Sequence, residues 1–316
     1  MPRTTFRSRR LSSVLEAIGD TPVLRLDRIG SKVPGVEIYL KLEFANPGGS
    51  VKDRPALRMV TRALETGAFT DDKILIDATS GNTGVAYSLI GAALGLRVQL
   101  VMPANVTRAR KDIAHAYGTE IIYSDPMEGS DGAIVKVREL VKAEPGKYFY
   151  CDQYSNPDNP MAHYMGTGAE ILDAFGDRIT HFVAGLGTSG TVMGTTRRLH
   201  EHPRKIECIA VEPAEALHGL EGLKHMASSI QPKIYDPNIV DEILPVGTDE
   251  GWDMTERLGA EEGLYVGHST GANVCGALKI AERLARRGEE GCIVAVACDR
   301  GDRYFAPMKW EKRYTW

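Results

Sequence analysis

The chain has 316 residues, of which 43% are hydrophobic and 25% are charged, values of a folded globular protein rather than a disordered one. Its 38 basic and 42 acidic residues leave a formal charge of −4, which argues against a protein that coats nucleic acid. No window approaches the roughly 20 apolar residues that span a bilayer, so we predict a soluble protein with neither a membrane nor a nucleic-acid partner.

In chain order, short β-branched runs alternate with amphipathic helical stretches, the pattern of a parallel α/β sheet. The predicted strands are residues 37–42, 74–77, 98–102, 120–123, 148–151, 181–184, 206–211, 264–266 and 292–297. The predicted helices include residues 55–65, 85–94, 108–116, 132–142 and 273–286. Asp53, Pro55 and Gly67 suit the cap, first turn and end of the first helix. The basic stretch 108–111 is typical of a solvated helix start.

The five cysteines are an odd number, widely spaced, and no two of them form a Cys-x-x-Cys pair. This spacing disfavours a disulfide framework and a structural zinc site, and reduced thiols indicate a cytoplasmic location. His200 and His202 lie at the end of a predicted helix without a third ligand, so we expect no metal.

Four glycine-rich polar loops directly follow predicted strands, and they begin at Pro47, Thr79, Gly185 and Gly267. In open α/β sheets, ligands bind at the carboxyl ends of the strands. Because all four loops belong to such ends, the sequence predicts one shared ligand cleft.

The loop 185–190 reads Gly-Leu-Gly-Thr-Ser-Gly, which matches the dinucleotide pattern G-x-G-x-x-G. Glu212, about 22 residues further on, ends the next strand, where an acid could hold a ribose hydroxyl. The loop hydroxyls instead favour a terminal phosphate, and the loop lies in mid-chain. Backbone N–H groups at a helix start bind either anion, so these residues alone leave an NAD-dependent dehydrogenase open.

Lys52 lies at a predicted helix start within Asn-Pro-Gly-Gly-Ser-Val-Lys-Asp-Arg, residues 46–54. The positive end of the helix dipole disfavours its charged form, and the neutral amine is the species that forms imines. An exposed surface lysine is the plain alternative. The G-x-x-x-x-G-K-[ST] spacing is missing, so nucleoside triphosphate binding is not supported.

Residues 46–54, 79–84 (Thr-Ser-Gly-Asn-Thr-Gly), 185–191 and 267–272 (Gly-His-Ser-Thr-Gly-Ala) together resemble the cysteine synthases of the pyridoxal-phosphate fold type II family. The likeness runs from about Ser13 to Tyr304, and residues 152–160 and 298–304 are more similar to the B type. It implies a homodimer of an α/β chain with two doubly wound parallel-sheet domains and pyridoxal 5'-phosphate between them. The implied domains are a small mobile one, 46–156, and a large one, 1–45 plus 157–316.

The resemblance also implies a role for each motif residue. Lys52 would be the catalytic residue, joined to the cofactor aldehyde as an internal aldimine. The cofactor's phosphate would be bound by Gly187, Thr188, Ser189, Gly190 and Thr191. Its ring hydroxyl would be bound by Asn82, and its ring nitrogen by Ser269. The substrate carboxylate would be bound by Thr79, Ser80, Gly81, Thr83 and Gln153.

The activity implied is β-replacement on O-acetyl-L-serine or O-phospho-L-serine through an aminoacrylate. The sulfur donor would be sulfide, thiosulfate or a carrier-protein thiocarboxylate. The Ser269 hydroxyl suits this course, because it protonates the ring nitrogen weakly and disfavours a full carbanion. Lys224 lies about where B-type relatives carry an arginine, and it is either a partner for a phosphate leaving group or an exposed loop lysine.

Several alternatives stay open at this point. Another fold type II lyase or synthase, such as cystathionine β-synthase or a serine or threonine dehydratase, would share the cofactor. A catalytically idle binding protein would hold the cofactor without turnover. The C-terminal tail with Trp310 and Trp316 departs from the family pattern, and either a cleft cover or a subunit contact would suit it.

Overall fold

The computed structural model describes residues 10–79, 81–106 and 108–304, so Ser80, Trp310 and Trp316 lie outside the described residues. The strands are β1 (Val23–Arg25), β2 (Val36–Leu42), β3 (Ile74–Ala78), β4 (Val98–Pro103), β5 (Glu120–Ser124), β6 (Tyr148–Tyr150), β7 (His181–Gly185), β8 (Glu207–Pro213), β9 (Glu242–Val246) and β10 (Gly291–Ala297). The α-helices are α1 (Asp53–Glu65), α2 (Asn82–Leu94), α3 (Arg108–Ala116), α4 (Gly129–Ala143), α5 (Asp158–Ala162), α6 (Ala169–Phe175), α7 (Gly190–His200), α8 (Thr248–Glu262) and α9 (His268–Arg287). A π-helical turn, His163–Gly168, joins α5 to α6.

The strands form two sheets. One has six strands in the order β1-β2-β10-β7-β8-β9, all parallel except β1, which pairs antiparallel with β2. The other has four parallel strands in the order β5-β4-β3-β6. This confirms the predicted α/β fold with two doubly wound sheets.

Each sheet contains a point at which the strand order reverses. In the four-stranded sheet the chain proceeds from β3 to β4 and β5, and then returns to β6 on the other side of β3. In the six-stranded sheet it proceeds from β7 to β8 and β9, and then returns to β10 on the other side of β7. Crevices open at the carboxyl ends of strands at such points, so the fold creates two of them.

Both faces of each sheet are covered, so the central strands are apolar on both sides. In β7, Val183 packs in the core on one face while Phe182 and Ala184 pack in the core on the other. In β3, Leu75 and Ile76 divide in the same way between the two cores of the smaller sheet. This two-sided burial fixes the strand register and holds the loops at the strand ends in place.

Three local predictions were wrong. Residues 264–266 form no strand, since Val266 only makes an isolated bridge to Arg300. The short β1 and the edge strand β9 were missed. Three residues are too few to show an alternation of apolar and polar side chains, and Pro245 interrupts that alternation in β9. Asp53 does not cap α1, because Lys52 occupies that position and the Asp53 carboxylate accepts from the Gly48 N–H.

The predicted domain boundaries stay a prediction. The four-stranded sheet falls within residues 74–150, while the larger sheet uses residues 23–42 and 181–297. Within the described ranges, every helix is too short or too polar to cross a bilayer.

Candidate active site

One cavity of about 270 Å³ lies where the loops after β3, β7 and β10 meet. Most residues predicted for the site line it: Lys52, Thr79, Gly81, Asn82, Thr83, Gln153, Gly187, Thr188, Thr191, Lys224 and Ser269. Ser189 and Gly190 belong to the same loop as Thr188, whereas Ser80 lies outside the described residues. The structure therefore brings the described candidates of four separate motifs to one place.

Lys52 lies at the N-cap of α1 and projects into this cavity. Burial lowers the pKa of its ammonium group, and the nearby Cys298 and Asp299 oppose this effect. Its Nζ has no hydrogen-bond or ion-pair partner among the residues that the structure describes. A lysine in these conditions supplies a neutral amine more readily than a solvated lysine does.

The loop between β7 and α7 is shaped for an anion. Ser189 is the N-cap of α7 in the left-handed conformation, with φ of 70°, and its buried hydroxyl has no partner among the described atoms. The first N–H groups of a helix lack intrahelical acceptors, so they face outward beside these hydroxyls. A Cβ on Gly187 would lie 2.4 Å from the carbonyl oxygen of Gly222, which explains why glycine is needed there.

Two buried side chains that the sequence analysis missed hold this loop. Asn159 Nδ2 donates to Thr188 Oγ1 at 3.0 Å and to the Gln153 carbonyl at 2.7 Å. His163 Nε2 lies 3.3 Å from Thr191 Oγ1, and burial lowers the pKa of its imidazole. Because Thr188 accepts from Asn159, its own proton is free to donate into the cavity. The similarity of residues 152–160 to the B type was the signal that included Asn159, whereas His163 lies outside that segment.

At another side of the cavity, Ser269 lies in the first turn of α9 beside Cys298 at the end of β10. Burial raises the pKa of the Cys298 thiol to about 11, so it stays protonated. Asn273 Nδ2 lies 3.5 Å from Cys298 Sγ. This arrangement offers one neutral hydroxyl and one packed thiol, and no carboxylate, to a ligand at this side.

Asn82 lies at the start of α2, where a network of polar groups fixes its amide. Its Nδ2 donates to Asp299 Oδ2 at 2.6 Å, and its Oδ1 accepts from Arg303. Tyr304 Oη also donates to Asp299 Oδ2, and burial raises the pKa of that carboxyl. Residues 298–304 thus reach across from the larger sheet to the loop of the smaller one.

The loop after β3 and the start of α2 form a carboxylate-sized corner with Gln153. Thr83 Oγ1 donates to Gln153 Oε1 at 2.9 Å, and Gln153 Nε2 donates to the Ala78 carbonyl at 3.3 Å. Gly81, the N-cap of α2, leaves the free N–H groups of the helix start facing this corner. The corner therefore presents donors to a negatively charged group.

Besides Lys52, two basic side chains line the cavity: Lys224, which was predicted, and Arg110, which was not. The side chain of Lys224 is only 14% exposed, so it is not the exposed loop lysine that was the alternative. Its Nζ lies 3.8 Å from Asp131 Oδ1 and 5.2 Å from the centroid of the Tyr154 ring. Arg110 also lines the cavity and pairs with Glu221. The interpretation of residues 108–111 as a solvated helix start was therefore wrong for Arg110, although Arg108 is exposed.

A second polar cluster lies outside this cavity. His200, Cys208 and Asp241 have ligand atoms within 4.8 Å of one another, the one group of candidate metal ligands in the described ranges. Asp241 Oδ2 already accepts from the Cys208 N–H and lies 3.2 Å from His200 Nε2. Glu212, the acid considered for a ribose, does not line the cavity; its carboxylate accepts from the Met226 N–H.

Comparison with known proteins gives consistent results. The family model of "Pyridoxal-phosphate dependent enzyme" matches residues 14–299. The chain is 48% identical over 294 residues to cysteine synthase of Aquifex aeolicus (92% of this chain, 90% of that one) and 39% identical over 296 residues to cysteine synthase B of Escherichia coli (94% and 95%). The crystal structure of cysteine synthase from Entamoeba histolytica superposes with a TM-score of 0.92 at 35% identity, covering 98% of this chain and 94% of that one.

Proposed function

The chain belongs to the family of pyridoxal-phosphate dependent enzymes, and on that premise we propose how its cavity residues carry out cysteine synthesis. The activity is β-replacement, in which the β-substituent of an activated serine is exchanged for sulfur. The observation that carries the residue assignment is the single cavity in which the unpaired amine of Lys52, the loop 187–191 and Ser269 meet.

The cavity residues fit pyridoxal phosphate. The buried, unpartnered hydroxyl of Ser189 and the proton of Thr188 supply donors for a phosphate monoester. Ser269 would hold the pyridine nitrogen through a neutral hydroxyl, and Asn82 would donate to the ring hydroxyl. Bound there, the cofactor supplies an electron-withdrawing ring that acidifies the α-proton of the substrate and lets the β-substituent leave.

Lys52 is the residue that we assign to the covalent attachment and to proton transfer at the α-carbon. Burial keeps a larger fraction of its amine neutral than solvent would, and a neutral amine both condenses with an aldehyde and accepts a proton. Cys298 and Asp299 act electrostatically against this lowering of the Lys52 pKa.

The substrate carboxylate is proposed to bind the corner formed by Thr79, Gly81, Thr83 and Gln153. The helix start of α2 favours an anion, and Gln153 Nε2 has a second hydrogen beyond the one given to Ala78. Ser80 belongs to the same motif and is assigned with it.

Two ion pairs join the loop 219–224 to the helices of the smaller sheet: Arg110 with Glu221, and Lys224 with Asp131. Both pairs lie at the cavity, so they hold that loop against the opposite wall. We propose that this closure excludes water from the reacting carbon, since a reactive intermediate exposed to water is lost by side reactions.

The cavity also bears on which leaving group and which sulfur donor the enzyme uses. Lys224 is proposed to favour phosphate as the leaving group, because its ammonium group lines the cavity and is largely shielded from the solvent that would screen its charge. Burial lowers the pKa of this group, and the nearby Asp131 opposes that effect. A charge-assisted contact is worth about 1.5–3 kcal/mol. Sulfide, thiosulfate and a carrier-protein thiocarboxylate all remain chemically suitable donors.

We expect Lys224→Ala to lower kcat/KM for O-phosphoserine at least about 10-fold while changing kcat/KM for O-acetylserine less than threefold, because only the former leaves as a polyanion. Steady-state cysteine formation with sulfide measures both. Lys233→Ala, which removes an exposed lysine, is the matched control. Equal losses on the two substrates would remove the assignment of Lys224.

The same assay tests the function itself. The purified protein with pyridoxal phosphate should form cysteine from sulfide and at least one of these two serine esters. Failure with both, with turnover of serine or threonine to an oxo acid instead, would replace cysteine synthesis by a dehydratase activity.

We propose a homodimer in the cytoplasm, as the family resemblance implies. The five cysteines, all within the described ranges, are free, which suits a reducing compartment. A solution mass twice that of the chain would support the dimer.

A further inference from the structure

A buried carboxyl group lies directly behind the proposed carboxylate corner. Asp77, the fourth residue of β3, is only 1% exposed. Its Oδ1 accepts from the Ala78 N–H at 2.8 Å, and its Oδ2 accepts from Tyr87 Oη at 2.9 Å and from the Gln153 N–H at 3.4 Å. The carboxyl thus joins the strand, the helix α2 and the segment after β6.

These contacts lead by one step to the substrate corner. The backbone of Gln153 is held by Asp77, and its side chain bridges the Ala78 carbonyl and the Thr83 hydroxyl. One end of the Gln153 amide is therefore oriented by Ala78, which adjoins Asp77, and the other by Thr83 of α2, the helix whose Tyr87 donates to Asp77. Asp77 does not line the cavity, so it acts on the corner through Gln153.

These hydrogen bonds support the charged form of Asp77. Among the described residues, the titratable groups in electrostatic contact with it are Tyr87 from α2 and Tyr150, Cys151, Asp152 and Tyr154 from the segment of β6, and these groups include no cation. Burial raises the pKa of Asp77 to about 7, while the donors from Tyr87, Ala78 and Gln153 oppose the rise. The carboxyl therefore changes protonation near neutral pH.

We propose that Asp77 is a positioning residue that, when ionised, orients Gln153 for the substrate carboxylate. The inference rests on the proposed carboxylate role of Thr83 and Gln153. Protonation removes one acceptor from the Asp77 carboxyl, which releases the Gln153 N–H or the Tyr87 hydroxyl. Substrate affinity then falls as the pH drops through about 7.

The test is the affinity of the holoenzyme for L-serine, whose hydroxyl is a poor leaving group, followed by the cofactor absorbance between pH 6 and 9. Asp77→Asn should raise the dissociation constant at least about fivefold at pH 8, because the amide nitrogen of asparagine cannot accept from Gln153. It should also remove the dependence on pH near 7 and leave the dissociation constant of pyridoxal phosphate within twofold.

Ser88→Ala is the matched control, since Ser88 is buried in α2 and contacts Thr119 rather than Asp77. It should leave the serine dissociation constant unchanged. A serine affinity of Asp77→Asn within twofold of the parent, or a pH profile parallel to that of the parent, would overturn the proposal. So would tighter binding, which would mean that the carboxylate only repels the substrate.

Two further variants keep the outcome decisive. Tyr87→Phe removes a donor that favours the ionised form of Asp77, so the pH at which serine affinity falls should move upward. An unmoved midpoint overturns the proposal even where Asp77→Asn does not fold.

Thr83→Val tests the corner itself. No effect of Thr83→Val contradicts the proposed function, whereas an effect of Thr83→Val without one of Asp77→Asn contradicts only the role of Asp77.

Discussion

Two side chains at the cavity keep hydrogen-bonding capacity that the other described residues do not use. Ser189, in the loop beside the cavity, is 2% exposed and its hydroxyl is unpartnered among the described residues, and the amine of Lys52 has no partner there either. A buried polar group without a partner costs about 1–3 kcal/mol, and at Ser189 a bound phosphate would remove that cost. The Ser189 hydroxyl therefore supports a phosphate-bearing cofactor at this loop.

Ser189→Ala separates this ligand role from a structural one. Removing the unpartnered hydroxyl should leave the melting temperature of the cofactor-free protein equal or higher, because no internal hydrogen bond is lost. The same change should weaken pyridoxal phosphate binding about 10-fold or more, since one contact to a charged group is lost. Calorimetry and cofactor titration measure the two effects.

Thr195→Val provides the comparison, because Thr195 also carries a buried unpartnered hydroxyl but lies inside α7, beyond the loop 187–191 that reaches the cavity. It should alter stability without altering cofactor affinity. Equal cofactor affinities of Ser189→Ala and the parent would contradict the role of Ser189.

At the scale of elements, the segment after β6 supports two loops that belong to different sheets. Asn159 donates to the backbone of Gln153 on one side and to Thr188 on the other. Gly190 has to be glycine beside it, because a Cβ there would lie 1.9 Å from Asn159 Oδ1. The positions of the phosphate loop and the carboxylate corner are therefore coupled through one side chain.

Asn159→Ala should weaken binding of both pyridoxal phosphate and L-serine, each about fivefold, because one hydrogen bond is lost on each side. Combining it with Thr188→Ala should give less than the sum of the two effects on the cofactor. Two titrations on each variant measure this. Loss of only one of the affinities would show that Asn159 does not couple the loops. Asn156→Ala, a change in the same segment that contacts neither loop, is the control.

Elements with a strong hydrophobic periodicity were predictable, but the ends of some of them were not. Helix α3 was predicted with its observed bounds, whereas α9 begins five residues before its predicted start. The early turns of α9 and α2 contain glycine, serine and threonine, which favour loops by propensity and become helical because the tertiary packing buries them. These are the turns that carry Ser269 and Thr83.

At the scale of the whole molecule, the site results from two sheets whose reversal points face one cavity. The sequence motifs predicted that cavity, although the motif that begins at Gly267 follows an isolated bridge at Val266 rather than the predicted strand. The contributions of Arg110, Asp299 and Asn159 were not predicted, because each acts through a partner that is 29 to 217 residues away in the chain. Their roles depend on packing that only the folded chain shows.

The assignment of Lys52 is tested by locating the residue to which the cofactor is covalently attached. The holoenzyme is treated with borohydride, digested, and its peptides are analysed by mass spectrometry. We expect a single pyridoxyl group on Lys52, and no labelled lysine in the Lys52→Ala variant. A label on Lys224 or another lysine, or no label on a protein that makes cysteine, would contradict it.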